Sequence, residues 1–256
     1  MTKTIAAVLS GGKGSRMQSS LPKVLHLLNG KPLLQWSMES FSNSICDELL
    51  IVVSPFQPEV IQKIETIKNK IDKPINICFQ NQPLGTGDAV KCAVSSLQSY
   101  DEGIQICVGF GDTPAASAKL ITSFLEFHKN GEYDLSIITF EPADSKGYGR
   151  VFLEQNGCFK KIVEDKDCSH EEKRNNLCNS GFLVGNLRVL RQGLEELRTN
   201  NEQGEYYLTD LPYILKNMNF KIGVFFVSDP FELLGVNTPE QLKLLESLIS
   251  LKIKSN

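Results

Sequence analysis

The sequence predicts an α/β fold built on one open, mostly parallel sheet with helices on both faces. Short apolar runs alternate with segments of helical periodicity over roughly the first 140 residues, and this alternation is typical of parallel strands joined by crossover helices. No internal repeat or linker-like stretch divides the 256 residues. We therefore expect a single Rossmann-like domain, 1–256.

The first part of the chain predicts five strands and four helices. The strands are apolar throughout, because both faces of a parallel sheet are covered. The helices have apolar residues at intervals of three and four. The predicted strands are residues 5–9, 49–53, 75–79, 104–108 and 135–140, and the predicted helices are 33–41, 59–68, 86–97 and 117–128, with Thr86 as a possible cap.

The second part begins with a predicted β-hairpin over residues 151–163. Two short alternating runs flank Asn156-Gly157, a dipeptide that favours hairpin turns. We expect this hairpin to close over the sheet edge where the strands end. Thr238-Pro239-Glu240-Gln241 matches a capping box with proline at the first helical position. The other predicted elements are a loop with a short helix at 164–176, strand 181–184, helix 187–197, helix 208–216 and strand 223–227.

Composition excludes several classes of function. The net charge is −3, whereas proteins that bind nucleic-acid backbone usually carry a basic excess. No stretch reaches the roughly 18 apolar residues of a membrane span, and the N-terminus lacks the features of a secretory signal. Seven cysteines without C-x-x-C spacing and three scattered histidines predict reduced thiols rather than a zinc site. We expect a cytoplasmic protein with neither nucleic-acid nor membrane partners.

A glycine-rich turn follows the first predicted strand, at the sheet edge where open parallel sheets bind ligands. Gly11, Gly12 and Gly14 let the backbone bend tightly and present several N–H groups to one point, which suits phosphate oxygens. Lys13 and Arg16 add positive charge to this turn, and Lys23 follows shortly after it. The turn is neither a Walker A loop nor G-x-G-x-x-G, and a purely structural turn is the alternative interpretation.

The turns after the third and fourth predicted strands also carry polar groups. The amide of Gln80, in the segment 80–87, can interact with the edge of a base, although a plain capped turn would explain the segment too. Asp112 lies in Gly111-Asp112-Thr113-Pro114. A carboxylate at a strand end can hold Mg²⁺ against substrate phosphates, and capping of the next helix is the alternative.

The second half contributes further polar residues at predicted element ends. Amides, hydroxyls and one carboxylate are the groups that a sugar with several hydroxyls needs for hydrogen bonding. Each residue alone is more often part of a turn or a cap. The segments are 147–150, Glu164, 179–181, 204–210 and 235–237.

Together these motifs resemble a known family. Residues 9–17 followed by Pro22-Lys23-Val24-Leu25-His26 are similar to the signature of sugar nucleotidyltransferases. The form of this motif resembles the uridyltransferase domain of bacterial N-acetylglucosamine-1-phosphate uridyltransferase. The resemblance covers essentially the whole chain, through residues 84–87, 111–114, 147–150, 162–167, 179–181, 204–210 and 235–237.

The resemblance implies a GT-A-like fold, UTP and N-acetylglucosamine 1-phosphate as substrates, and Mg²⁺ as cofactor. The product would be UDP-N-acetylglucosamine, a precursor of peptidoglycan and lipopolysaccharide. Arg16 and Lys23 would be catalytic, and the hairpin would lie over the sugar site. The implied nucleotide contacts are Leu9, Gly11, Gly12, Gly14, Lys23, Gln80, Gly85 and Thr86; the sugar-phosphate contacts are Gly149, Glu164, Asn179, Tyr207 and Thr209; the metal ligands are Asp112 and Asn237.

The chain departs from the family pattern at several points. Pro83 stands where the family usually has a glutamine beside the base, Asp88 replaces a usual histidine, and Ala115 replaces a larger apolar residue. These changes concern base and sugar preference rather than the reaction. The hexapeptide repeats of a left-handed β-helix are absent from the 256 residues, so we expect neither acetyltransferase activity nor the trimer contacts of that domain.

Two other functions remain open at this stage. One is a nucleotidyltransferase that uses glucose 1-phosphate, GTP or a molybdopterin substrate, which the segment 205–210 argues against. The other is a non-catalytic nucleotide-binding or regulatory protein, since a fold does not establish activity. The presence of Lys23, Asp112 and Asn237 together favours catalysis. The oligomeric state is not predicted.

Overall fold

A nine-stranded sheet forms the centre of the protein, and a separate two-stranded ribbon lies outside it. The computed structural model describes residues 2–12 and 14–255, with side chains to residue 251. The strands are β1 (Thr4–Leu9), β2 (Leu27–Leu28), β3 (Lys31–Pro32), β4 (Glu48–Val53), β5 (Ile75–Phe79), β6 (Gln105–Phe110), β7 (Leu135–Phe140), β8 (Arg150–Leu153), β9 (Phe159–Val163), β10 (Cys178–Asn186) and β11 (Ile222–Val227). The helices are α1 (Leu33–Ser42), α2 (Pro58–Lys68), α3 (Thr86–Ser96), α4 (Ala118–Asn130), α5 (Leu187–Glu195), α6 (Leu211–Asn217) and α7 (Pro239–Ser255).

The sheet has the order β11-β7-β10-β6-β1-β4-β5. Its strands run parallel, except that β10 lies antiparallel between β6 and β7. The hairpin of β8 and β9 joins the sheet beside the start of β10, where Arg150 pairs with Cys178. Because β10 runs in the opposite direction, its first residues lie at the edge where β6 and β7 end.

Both faces of the sheet are covered. Along β1, Ile5, Ala7 and Leu9 face a core that also contains residues of α3, α5 and α6. Ala6 and Val8 face a second core, shared with α1, α2 and α4. Every residue of β1, β4 and β7 is buried, which explains why these strands are mostly apolar and do not alternate with polar residues. The predicted mostly parallel sheet flanked by helices is therefore confirmed.

Local differences from the predicted elements have simple causes. The predicted helix 208–216 is divided into a 3-10 turn, Leu208–Asp210, and α6, whose first turn contains Pro212; proline lacks an N–H and suits a helix start. The prediction that Thr86 caps α3 is wrong, because Gly85 occupies the cap position. The predicted hairpin is confirmed, with Gly157 in its turn at φ +82°.

The last helix begins as its sequence predicts. The backbone N–H of Gln241 donates to Thr238 Oγ1 at 3.3 Å, and Gln241 Oε1 accepts from the N–H of Asn237 at 2.7 Å. The hydrogen bonds at the N-terminus of α7 therefore also fix the backbone at Asn237. Across residues 2–12 and 14–255, no helix combines the length and apolar character that crossing a membrane requires.

Candidate functional site

A cavity of about 630 Å³ lies at the carboxyl ends of β1, β5 and β6, and its size is that of a small-molecule site. The hairpin borders it through Ile162. Of the predicted site residues, all but Tyr207 line this cavity. They are Leu9, Gly11, Gly12, Gly14, Arg16, Lys23, Gln80, Gly85, Thr86, Asp112, Gly149, Glu164, Asn179, Thr209 and Asn237.

The glycine-rich turn after β1 forms one wall of the cavity. Gly14 has a φ of +63°, and a Cβ at this position would lie 2.6 Å from Lys23 Cβ. Glycine is required here both for the backbone conformation and for the close approach of Lys23. The short 3-10 helix Ser15–Met17 follows and presents the exposed Arg16. Lys13 lies outside the described residues.

Lys23 joins the two predicted metal ligands. Its Nζ forms an ion pair with the carboxylate of Asp112 and donates to Asn237 Oδ1 at 2.9 Å. Arg16 Nη2 donates to the same Asn237 oxygen, also at 2.9 Å. The backbone supports this arrangement, because the N–H of Val236 donates to the carbonyl oxygen of Asp112 at 2.8 Å.

The donor set fits a hard divalent cation. Asp112 and Asn237 both contact a single ammonium group, so one cation at that place is within reach of both side chains. A carboxylate oxygen and an amide oxygen are ligands that Mg²⁺ accepts, and Mg²⁺ usually completes its shell with water and substrate phosphates. The residues present therefore suit the cofactor that the family resemblance implies.

Gln80, the predicted base contact, lines the cavity and is held by two hydrogen bonds. It is 8% exposed, and its Nε2 donates to the carbonyl oxygen of Gly85 at 3.0 Å and to Asp88 Oδ2 at 2.8 Å. Pro83 also lines the cavity, where it offers apolar surface instead of an amide. Asp88 was not predicted as a site residue, and the signal available in the sequence was its replacement of the usual histidine.

Backbone hydrogen bonds connect the segment that follows Gln80 to the segment that precedes Thr209. The N–H of Tyr206 donates to Leu84 O at 2.8 Å, and the N–H of Gly87 donates to Tyr206 O at 2.8 Å. Thr86 Oγ1 accepts from the N–H of Leu208 at 3.3 Å. We call this contact between residues 84–87 and 206–208 the glycine seam. It fixes the position of Thr209, which follows directly.

Gly85 is the residue of the glycine seam with the strictest requirement. Its φ is +108°, and a Cβ would lie 2.7 Å from the carbonyl oxygen of Tyr206 and 2.9 Å from Glu205 Cβ. A side chain at this position would therefore both strain the backbone and separate the two segments.

Glu164 and Thr209, two of the predicted sugar contacts, meet in the cavity wall. Thr209 Oγ1 donates to Glu164 Oε1 at 2.7 Å. Burial in the cavity wall raises the pKa of the Glu164 carboxyl above its ordinary value, although the Thr209 hydrogen bond acts in the opposite direction. A Cβ on Gly149 would lie 3.7 Å from Glu164 Cδ, so this glycine keeps the space beside the carboxylate open.

Asn179 reaches the cavity wall from the start of β10. Its backbone N–H donates to Gly149 O at 2.8 Å. Its Oδ1 is buried and has no hydrogen-bond partner among the described residues. An unpaired buried acceptor is costly, and at a cavity wall it is placed to meet a donor from a ligand.

Tyr207 is placed differently from the other predicted sugar contacts. Its side chain is 6% exposed, does not line the cavity, and accepts through its hydroxyl from Gln203 Nε2 at 3.0 Å. The backbone is extended at Tyr207, and the 3-10 turn Leu208–Asp210 begins directly after it. The structure brings Thr209 to the cavity and leaves a sugar contact by Tyr207 a prediction.

Two residues of the motif Gly147-Tyr148-Gly149-Arg150 have supporting roles that the sequence did not reveal. Arg150 is 3% exposed and its Nη2 contacts Asp165 Oδ1 at 3.1 Å, which anchors the loop that carries Glu164. The hydroxyl of Tyr148 accepts from the N–H of Gly235 at 3.4 Å. The hairpin side is thus linked to the loop of Asn237.

Comparison with curated proteins gives relatives along the whole chain. The "Bifunctional protein GlmU" of Clostridium novyi is 37% identical over 248 residues, which is 97% of this chain and 52% of the relative. The "Bifunctional protein GlmU" of Acetivibrio thermocellus is 38% identical over 238 residues, 93% of this chain and 50% of the relative. The chain therefore spans about half the length of these relatives.

A viral relative has a similar length. The "Probable UDP-N-acetylglucosamine pyrophosphorylase" of Acanthamoeba polyphaga mimivirus is 35% identical over 249 residues, and the match covers 96% of both chains. In addition, the family model of the MobA-like NTP transferase domain matches residues 6–177. These residues include the glycine turn, Lys23, Gln80, Asp112 and Glu164, and the chain belongs to the family of MobA-like NTP transferase domains.

Proposed function

We propose that the protein is an enzyme that transfers UMP from UTP to N-acetylglucosamine 1-phosphate, giving UDP-N-acetylglucosamine and pyrophosphate. The observation that carries this proposal is the convergence of Lys23, Asp112 and Asn237 beside the glycine turn, in a cavity whose opposite side holds Glu164 and Thr209. The full-length similarity to the viral protein supports the choice of product. We also propose that the reaction takes place in the cytoplasm.

The reaction is a single displacement at phosphorus. A phosphate oxygen of the sugar 1-phosphate attacks the α-phosphorus of UTP, and the bond from that phosphorus to the oxygen bridging to the β-phosphate breaks. The electron pair leaves with pyrophosphate. The attacking oxygen is already ionised, so no residue has to remove a proton, and catalysis depends on positioning and charge neutralisation.

The residues of the chain divide this work by position. The N–H groups of Gly11, Gly12 and Gly14 bind the triphosphate, and Arg16 and Lys23 supply positive charge as negative charge develops on the leaving group. Leu9, Gln80, Gly85 and Thr86 contact the nucleoside. Gly149, Glu164, Asn179 and Thr209 hold the sugar phosphate.

Asp112 and Asn237 would hold Mg²⁺ in this enzyme. When bound, the ion would neutralise phosphate charge at the reacting centre. The two side chains already lie against the same ammonium group, so Lys23 keeps these oxygens paired with a positive charge.

The alternative substrates differ in what they require from the cavity. Glu164, Thr209 and Asn179 form a hydrogen-bonding wall of carboxylate, hydroxyl and amide, which suits the hydroxyl and acetamido groups of an amino sugar. A transferase for glucose 1-phosphate, GTP or a molybdopterin, and a non-catalytic nucleotide-binding protein, are the remaining candidates.

One experiment separates these functions. The purified protein is incubated with Mg²⁺ and each pair from a panel of four nucleoside triphosphates and several sugar 1-phosphates, and pyrophosphate and nucleotide sugar are measured. We expect the highest turnover with UTP and N-acetylglucosamine 1-phosphate. Preference for another pair would refute the substrate assignment, and UTP binding without product from any pair would indicate a non-catalytic protein.

A matched pair of aspartate variants tests the site itself. Asp112→Ala removes a cavity carboxylate that contacts Lys23 and should be nearly inactive. Asp101→Ala removes a carboxylate that accepts from the backbone N–H of Gly103 at 2.7 Å and does not line the cavity, and it should retain wild-type turnover. An Asp112→Ala protein with wild-type turnover would refute the assignment of this residue.

A further inference from the structure

The side-chain amide of Gln80 has one defined orientation. Its Nε2 donates to two oxygen acceptors, the carbonyl of Gly85 and the carboxylate of Asp88. Neither acceptor can donate a hydrogen bond in return, so turning the amide over would place its oxygen against two other oxygens. Both Nε2 hydrogens are taken, and Oε1 is the atom of this amide that remains for a ligand.

Oε1 lies beside the glycine turn, in the wall of the cavity. It lies 3.4 Å from the place that a Cβ would occupy on Gly11, and Gln80 and Gly11 both line the cavity wall. Asp88 lies behind Gln80, half-buried in the first turn of α3, and does not line the cavity. Asp88 can therefore influence a nucleotide through the Gln80 amide without touching it.

We propose that Asp88 is a positioning residue that sets base selectivity by holding the Gln80 carbonyl oxygen toward the cavity. This inference rests on the proposed function, because it assumes that the base lies beside Gln80. The oxygen presented there is a hydrogen-bond acceptor and requires a donor on the base.

Uracil and cytosine differ in whether their N3 atom can donate a hydrogen bond. Uracil carries a hydrogen on N3 and can donate it to Gln80 Oε1, whereas the N3 of cytosine carries a lone pair that would face the oxygen. The two bases have the same ring size, and the two nucleotides carry the same triphosphate. The orientation of the Gln80 amide alone would therefore select UTP over CTP. A site built to pair with a substrate N–H rejects analogues that lack it.

A structural role for Asp88 makes a different prediction. A carboxylate in the first turn of a helix stabilises the helix through its dipole, and its removal would then affect UTP and CTP equally. Glu59 occupies the same kind of position, exposed in the first turn of α2. Glu59→Gln is therefore a matched control for the helix contribution.

The test measures kcat/KM for UTP and for CTP at a fixed concentration of N-acetylglucosamine 1-phosphate. Wild type should prefer UTP, and Asp88→Ala should lower the ratio of UTP to CTP roughly tenfold, because it removes a hydrogen bond to a charged group while that to Gly85 remains. Asp88→Asn keeps an oxygen that can accept from Nε2 and should fall between the two. Glu59→Gln should keep the wild-type ratio.

Other results would contradict either the role of Asp88 or the proposed function. An equal loss of kcat/KM with UTP and with CTP in the Asp88 variants assigns Asp88 a structural role. A wild-type protein that uses CTP as well as UTP leads to the same conclusion. If Asp88→Ala does not fold, the Asp88→Asn ratio decides alone. A wild-type protein that transfers no nucleotide from any triphosphate refutes the proposed function, and this assignment with it.

Discussion

Removal of the Lys23 ammonium should tighten the binding of a divalent cation while it slows the reaction. In the structure Lys23 Nζ contacts both Asp112 and Asn237, the two residues proposed to hold Mg²⁺. A metal ion that enters without nucleotide must compete with this ammonium for the same oxygens. Lys23→Met keeps much of the volume of the side chain and removes the competitor.

The size of the effect follows from the burial of the pair. The side chains of Lys23 and Asp112 are 13% and 17% exposed, so solvent screens their interaction less than that of a surface ion pair. A hydrogen bond to a charged group contributes about 1.5–3 kcal/mol, and we take ~1–2 kcal/mol because some exposure remains. That difference corresponds to roughly five- to thirty-fold tighter binding.

Electron paramagnetic resonance measures the binding of Mn²⁺ directly, without nucleotide or turnover. Lys23→Met should bind Mn²⁺ more tightly than wild type, while its kcat falls roughly 10- to 1,000-fold, as expected for loss of one charge-stabilising donor. Lys31→Met is the control, because Lys31 pairs with Glu39 at 2.6 Å in another part of the protein. Unchanged or weaker Mn²⁺ binding in Lys23→Met would refute the idea that the lysine occupies the cation position.

Three further predictions concern other parts of the site. Asn237→Ala should weaken Mn²⁺ binding at least tenfold with little change in melting temperature; unchanged binding would exclude Asn237 as a ligand. Gly85→Ala should lower the free energy of unfolding in urea by about 1–3 kcal/mol, more than Gly30→Ala, since Gly30 has a φ of +78° but open space around it; equal losses would show that the contact with Tyr206 is unimportant. The raised pKa of Glu164 means that the folded state binds the carboxyl proton more tightly than the unfolded chain does. The free energy of unfolding should therefore fall as the pH rises from 4.5 through the raised pKa, because the buried carboxyl becomes charged. Glu164→Gln should therefore melt above wild type at alkaline pH and approach it below pH 4.5, and a difference independent of pH would contradict the shift.

The parts of the fold that the sequence predicted correctly depend on local patterns. Fully buried strands such as β1 and β4 are apolar after their first residue, and the turn at Asn156-Gly157 is encoded by two adjacent residues. The insertion of β10 between β6 and β7 depends on contacts between distant segments, and the periodicity of apolar residues does not predict it. The ribbon of β2 and β3 has two residues in each strand, too few to form a pattern.

In the candidate site, too, the local features could be predicted from the sequence and the contacts between distant segments could not. The glycine turn and Asp112 were found because ligands bind where parallel strands end. The shared contact of Lys23 with Asp112 and Asn237 could not be predicted in this way, because it is a tertiary contact between three segments that lie far apart in the chain. Asp88 was noticed as a substitution, but its hydrogen bond to Gln80 is visible only once both side chains have positions.

The glycine seam has a consequence for dividing this protein into pieces. The family model ends at residue 177, yet Leu84 and Gly87, next to the proposed nucleotide contacts, make backbone hydrogen bonds with Tyr206. The strand beside β6, β10, begins only at Cys178. A polypeptide that stops at residue 177 would expose one long edge of β6 and leave these amide and carbonyl groups to water. We therefore expect nucleotide recognition to emerge late, once the remainder of the chain has been synthesised and has closed against what came before.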